Sequence, residues 1–91
     1  MAATVKLPKF GLTMEEATIN EWLVGVGEAV EQGQTIATIE SEKVELELPS
    51  PVEGIGAEHL VPVGETVPRG TPVAVIVGDA AELERYQPRG G

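Results

Sequence analysis

Lys43 is the residue of this 91-residue chain whose setting could do chemistry. It stands between a strand-like run ending at Glu40 and the alternating run Val44-Glu45-Leu46-Glu47-Leu48, which places it at the tip of a hairpin. In that run Val44, Leu46 and Leu48 share one face and Glu45 and Glu47 the other, the period-two pattern of a half-buried strand, and the register turns Lys43 outward. Glutamates at positions 40, 42, 45 and 47 flank it, and nearby opposite charge favours the ammonium over the free amine. Nucleophilic lysines are activated the other way, by desolvation or a neighbouring cation. The pattern describes a poor catalyst and an accessible handle for another enzyme to modify. Taken alone, an exposed lysine in an acidic hairpin is first of all a solubilising turn residue.

The other reactive side chains offer little. There is one histidine, His59, there are two serines, Ser41 and Ser50, and there is no cysteine. Disulfides, thiol nucleophiles, iron–sulfur clusters and thiolate zinc sites are thereby excluded. His59 lies in Glu58-His59-Leu60-Val61, whose apolar neighbours give it a structural strand position. Six Lys and Arg against fifteen Asp and Glu leave a formal charge of -9. Such a surface repels nucleic-acid phosphates and anionic lipid headgroups, so neither nucleic acid nor a membrane is expected as a partner. No apolar run approaches the roughly 18 residues needed to cross a bilayer. The start, Met1-Ala2-Ala3-Thr4, lacks the basic and apolar stretches of a signal peptide. The expectation is a soluble, cytoplasmic protein, with an organelle left open.

The elements that must hold Lys43 follow from composition and repetition. Apolar residues make up 42% of the chain and aromatics 3%, with 11 Gly and 7 Pro. These figures imply an all-β domain with many turns and a thin aliphatic core around Trp22. A shift of 37 residues lays residues 16–40 over residues 53–77. Identical pairs include Glu21/Glu58, Leu23/Leu60, Val24/Val61, Gly27/Gly64, Val30/Val67, Gly33/Gly70 and Ile39/Ile76, within eleven identities over twenty-five positions. Two copies are too few for a solenoid, so each half must bury its apolar face against the other. The expected strands are 4–7, 17–23, 29–30, 35–40, 44–48, 54–60, 66–67 and 73–77, in two sheets of four related by a pseudo-twofold axis. In this register the counterpart of Lys43 is Ala80, so only one of the two equivalent turns carries a lysine. Asp79, with Glu82 three residues on, starts a helix of one or two turns. The expected organisation is one folded domain over residues 1–79, with 80–91 as a short helix and tail or the start of a linker.

The stretch Gly33-Gln34-Thr35-Ile36-Ala37-Thr38-Ile39-Glu40-Ser41-Glu42-Lys43-Val44, continuing to Pro49-Ser50-Pro51-Val52-Glu53-Gly54, resembles the lipoyl domains of 2-oxoacid dehydrogenase complexes. The opening Leu7-Pro8-Lys9-Phe10-Gly11-Leu12-Thr13-Met14-Glu15-Glu16 is similar to that family as well, and the likeness spans about residues 4–78. The resemblance implies a flattened β-barrel, a barrel-sandwich hybrid, of two four-stranded antiparallel sheets with quasi-twofold symmetry. It implies that Lys43 is joined through an amide to lipoic acid by a lipoate ligase or lipoyl transferase, with Glu40, Glu42 and Val44 as recognition residues. The family usually has Asp where this chain has Glu42 and often Ala where it has Val44. Phe10 and Leu12 would belong to a loop that meets the partner enzyme, while the residues alone read Phe10 equally well as a plug of the barrel and give Met14 that role.

On this resemblance the domain is a carrier and no enzyme. It would serve a thiamine-diphosphate-dependent decarboxylase, an acyltransferase core and the flavoprotein dihydrolipoamide dehydrogenase. Pyruvate, branched-chain 2-oxoacid and acetoin-cleaving systems all remain open. Two alternatives stand beside it: a biotin carrier domain of a carboxylase, whose lysine typically lies between methionines, and an unmodified barrel acting as a binding or assembly module.

Overall fold

The computed structural model describes residues 2–7, 15–42 and 44–86. Short alternating segments, joined by Gly- or Pro-containing connections except at Glu42-Lys43, give eight strands and one helix. The strands are β1 (Ala3–Lys6), β2 (Glu16–Trp22), β3 (Ala29–Val30), β4 (Thr35–Ser41), β5 (Val44–Pro49), β6 (Gly54–His59), β7 (Thr66–Pro68) and β8 (Pro72–Val77), followed by helix α1 (Ala80–Arg85). Every strand boundary lies within one residue of the expectation.

The strands form two antiparallel sheets, ordered β1-β8-β6-β3 and β5-β4-β2-β7. The second half supplies the central pair of the first sheet and the first half supplies the central pair of the second, while each half lends its remaining strands as edges to the other's sheet. The expected all-β, two-by-four architecture is what the chain adopts, as a flattened sandwich. Its core lies between the sheets and holds Ile19, Ile36, Ile39, Leu48, Val73 and Ile76 among others.

The repeat is visible in the backbone bonds. Gly27 N–H donates to Gly56 O at 2.8 Å, and 37 residues on, Gly64 N–H donates to Ile19 O at 2.7 Å. The β2–β4 ladder shifts register between Ile19 and Glu21, and the β6–β8 ladder shifts between Gly56 and Glu58. The halves differ outside the core. On the first sheet Val75 and Val77 face away from Ala74 and Ile76, and they form with Ala57 a second apolar cluster under Leu83 and Tyr86. Asp79 caps α1 by accepting from Glu82 N–H at 2.8 Å, and Glu82 accepts from Gly78 N–H. Tyr86 Oη donates to the buried Glu58 carboxylate at 2.7 Å.

Gly54 and Gly27 separate two reasons for glycine. A Cβ on Gly54 would lie 2.2 Å from Val77 O, whereas at Gly27, with φ +91°, nothing lies within 4 Å. Urea denaturation is therefore expected to show a loss of about 3 kcal/mol or more for Gly54→Ala, since backbone of the central strand must move. For Gly27→Ala the loss should be only about 1–2 kcal/mol, the cost of a left-handed L-residue. Equal losses would contradict the assignment.

Candidate functional site

The hairpin β4–β5 is anchored at its base and, among the described residues, exposed at its end. Ladder pairs run from Thr35↔Pro49 to Ser41↔Val44, so residues 42 and 43 alone connect the strands. At the base, Gly33 N–H donates to Ser50 O and Ser50 N–H to Gln34 O, both at 2.8 Å. Ile39 and Leu48 fix the inner face in the core. Along β5 burial then fades. Leu48 is 1% exposed, Leu46 half-buried and Val44 55% exposed. Val44 was expected to share the buried face. It keeps that face of the pleat, but the end of the hairpin has left the core behind.

Glu42 has φ +51°, the left-handed conformation in which a two-residue hairpin connection commonly places its first residue. Glu40, Glu42 and Val44 are all exposed on this hairpin. Lys43 lies outside the described residues, as do Phe10, Leu12 and Met14. Exposed neighbours on both sides of position 43 are what attachment of a group by a separate enzyme requires. Beside the connection end of the hairpin, a groove of about 290 Å³ is lined by Glu15, Glu16, Thr18, Glu40, Ser41 and Glu42. It is polar and acidic.

His59 ends β6 and is structural, as its neighbours implied. Its ring stacks on Trp22 with centroids 4.0 Å apart and an interplanar angle of 6°. Trp22 Nε1–H donates to Val61 O at 3.0 Å, and His59 Nε2 lies 2.8 Å from Val24 O. A carbonyl oxygen only accepts, so Nε2 carries the proton. Trp22 and His59 are repeat mates, as are Val24 and Val61, so the two contacts are one contact seen twice across the pseudo-twofold axis. Among the described residues no group of three or more His, Cys, Asp or Glu could hold a metal. No helix among them is long and apolar enough to cross a membrane.

Three polar contacts at the hairpin were not read from the sequence. Asn20 Nδ2 lies 3.4 Å from a carboxylate oxygen of Glu40 and the same distance from one of Glu45. Ser41 Oγ donates to Glu16 O at 2.9 Å. A signal was available for Asn20, which in the 37-residue register faces Ala57 in place of a like residue.

The fold is an all-β sandwich with an exposed hairpin whose two-residue connection includes a lysine. The family model described as "Biotin-requiring enzyme", of the biotin/lipoyl type, matches residues 3–76, and the chain belongs to that family. It is similar to the dihydrolipoyllysine-residue acetyltransferase component of the acetoin cleaving system of Bacillus subtilis, 43% identical over 54 residues. That match takes in 59% of this chain and 14% of the relative. The corresponding component of the pyruvate dehydrogenase complex of Corynebacterium glutamicum is 40% identical over 55 residues, 60% of this chain and 8% of the relative. The chain thus spans a seventh or less of the length of these relatives.

Among solved structures, the lipoyl domain of the 2-oxoglutarate dehydrogenase complex of Azotobacter vinelandii superposes with a TM-score of 0.64 at 26% identity. That superposition covers 84% of this chain and 99% of that one. The urea carboxylase of Kluyveromyces lactis gives a TM-score of 0.72 at 26% identity, over 85% of this chain and 6% of that one. A domain of this family is a carrier and not itself a catalyst, and the acyltransferase relatives support a lipoyl carrier role over a biotin carrier role.

The mutual Trp22–His59 contact predicts the effect of Trp22→Phe. It keeps an aromatic ring against His59 but leaves Val61 O without its donor, at a cost of about 1–2 kcal/mol in urea denaturation. An unchanged midpoint would show that the Nε1 bond is immaterial.

Proposed function

We propose that this domain carries acyl groups and electrons as the lipoyl amide of Lys43, within a 2-oxoacid dehydrogenase or acetoin-cleaving system. The observation that carries the reading is the pairing Ser41↔Val44, which leaves a two-residue connection with the lysine in it. It does so in a chain whose relatives are dihydrolipoyllysine acyltransferase components. A bound lipoyl group supplies the chemistry, a disulfide that accepts an acyl group and two electrons. The chain itself supplies presentation. The ladder from Thr35 to Ser41 fixes register, and a slip of one residue would exchange the two faces. Exposed Glu40, Glu42 and Val44 form the surface that a lipoate ligase or lipoyl transferase meets.

The partners on this reading are a thiamine-diphosphate-dependent decarboxylase, an acyltransferase core and dihydrolipoamide dehydrogenase. Tethering the carrier beside them makes each encounter local and raises the effective concentration. The likeness to urea carboxylase favours a second reading, biotin on the same lysine. Against it stand Glu42 and Val44, where biotin carriers typically have methionines.

Intact mass measured after incubation with lipoate ligase, lipoate and ATP is expected to show one lipoyl adduct, absent from Lys43→Ala. A parallel incubation with biotin ligase and biotin is expected to show none. A biotinyl adduct with no lipoyl adduct would replace the proposal by the second reading, and no adduct in either arm would refute both.

A further inference from the structure

The bulge in β2 and the bulge in β6 are the same backbone device at mated positions, yet they carry different side chains. In β6 the extra residue is Ala57, buried in the small apolar cluster with Leu83 and Tyr86. In β2 it is Asn20, half-buried, with Nδ2 3.4 Å from Glu40 Oε1 and 3.4 Å from Glu45 Oε2. Those carboxylates belong to residues directly opposed across β4 and β5, one ladder pair inside the connection that holds Lys43. Like charges directly opposed in an antiparallel pair push the strands apart. A side-chain amide nitrogen carries two hydrogens and can give one to each carboxylate. Ser41, in the last ladder pair, adds a second tie through Oγ to Glu16 O at 2.9 Å, at the start of β2. Its mate in the other half is Gly78, which has no side chain. Both ties occur on the lysine's sheet and neither has a counterpart on the other.

We infer that Asn20 and Ser41 are positioning residues that brace the lysine hairpin: Asn20 holds two repelling carboxylates together, and Ser41 ties the final ladder pair to β2. The inference rests on the carrier reading for its functional consequence. A braced hairpin presents position 43 in one place, where a modifying enzyme must find it, and a loosened one presents it in many.

The test follows three readouts: kcat/KM of lipoyl attachment, hydrogen exchange of the amides in β4 and β5, and the thermal midpoint. Asn20→Ala is expected to slow attachment about threefold to tenfold and to speed hairpin exchange by a similar factor, the scale of one or two hydrogen bonds. The midpoint should fall by no more than the several degrees that the same factor implies for a domain of this size. Adding Glu45→Gln to Asn20→Ala removes the repulsion and should restore both rates, which a general loss of packing would not allow. Ser41→Ala should slow attachment, and Ser41→Thr, which keeps the hydroxyl, should not. Native rates in Asn20→Ala, or no recovery with Glu45→Gln, would overturn the role of Asn20. Equal rates for the two Ser41 variants would overturn that of Ser41. If Asn20→Ala does not fold, Asn20→Ser, too short to reach both carboxylates, takes its place. If the unmutated chain accepts no lipoyl group, the carrier reading fails and hairpin exchange alone decides: faster exchange reversed by Glu45→Gln supports the brace, and unchanged exchange contradicts it.

Discussion

Half of this repeat cannot bury its own apolar strands, and the rest of the structure follows from that constraint. One copy offers a central pair, β2 with β4 or β6 with β8, whose inner face would stand in water. Interleaving solves it: each half closes the other's sheet with its edge strands, and the two inner faces pack together. At the axis between them Trp22 and His59 stack, and each ring nitrogen reaches the carbonyl of the other half's valine. The chain's single histidine is thereby committed to the fold.

Symmetry of the backbone makes the asymmetries of the side chains informative. The first sheet turns Val75, Val77 and Ala57 outward and covers them with α1 and Tyr86. The second sheet places Thr18, Asn20, Glu40 and Glu45 in that outward zone, the first two half-buried and the two carboxylates exposed. Among the described residues, the first sheet's outer face is covered by the helix, and the second sheet's hairpin ends in exposed Glu42 and Val44. Among the described residues the same scaffold is built once as a covered face and once as an open one.

Much of this was legible in the sequence because period-two alternation and the 37-residue repeat are both strong, local signals. They gave the strand count, the boundaries to within one residue, the pairing of halves and the hairpin. Asp79 and Glu82 announced the helix start by their spacing. What escaped depends on distances that only folding creates. Val44 belongs by alternation with Leu46 and Leu48, and nothing in the pattern tells that the core ends before it. The contacts of Asn20 with Glu40 and Glu45 join residues 20 and 25 positions apart. The bond from Tyr86 to Glu58 spans 28. Such contacts depend on tertiary packing, which periodicity does not encode. The lysine itself stood out by being alone in an acidic hairpin, and its role as an attachment point belongs to the proposed function.

The central claim is that the register of β4–β5 decides which residue is modified. The direct measurement is to move the lysine by one place, combining Lys43→Ala with Val44→Lys, and to follow lipoyl attachment by intact mass alongside the Trp22 fluorescence of the fold. The account predicts a folded domain with attachment abolished. Full attachment at position 44 would contradict it, because the hairpin would then be a tether and not a template.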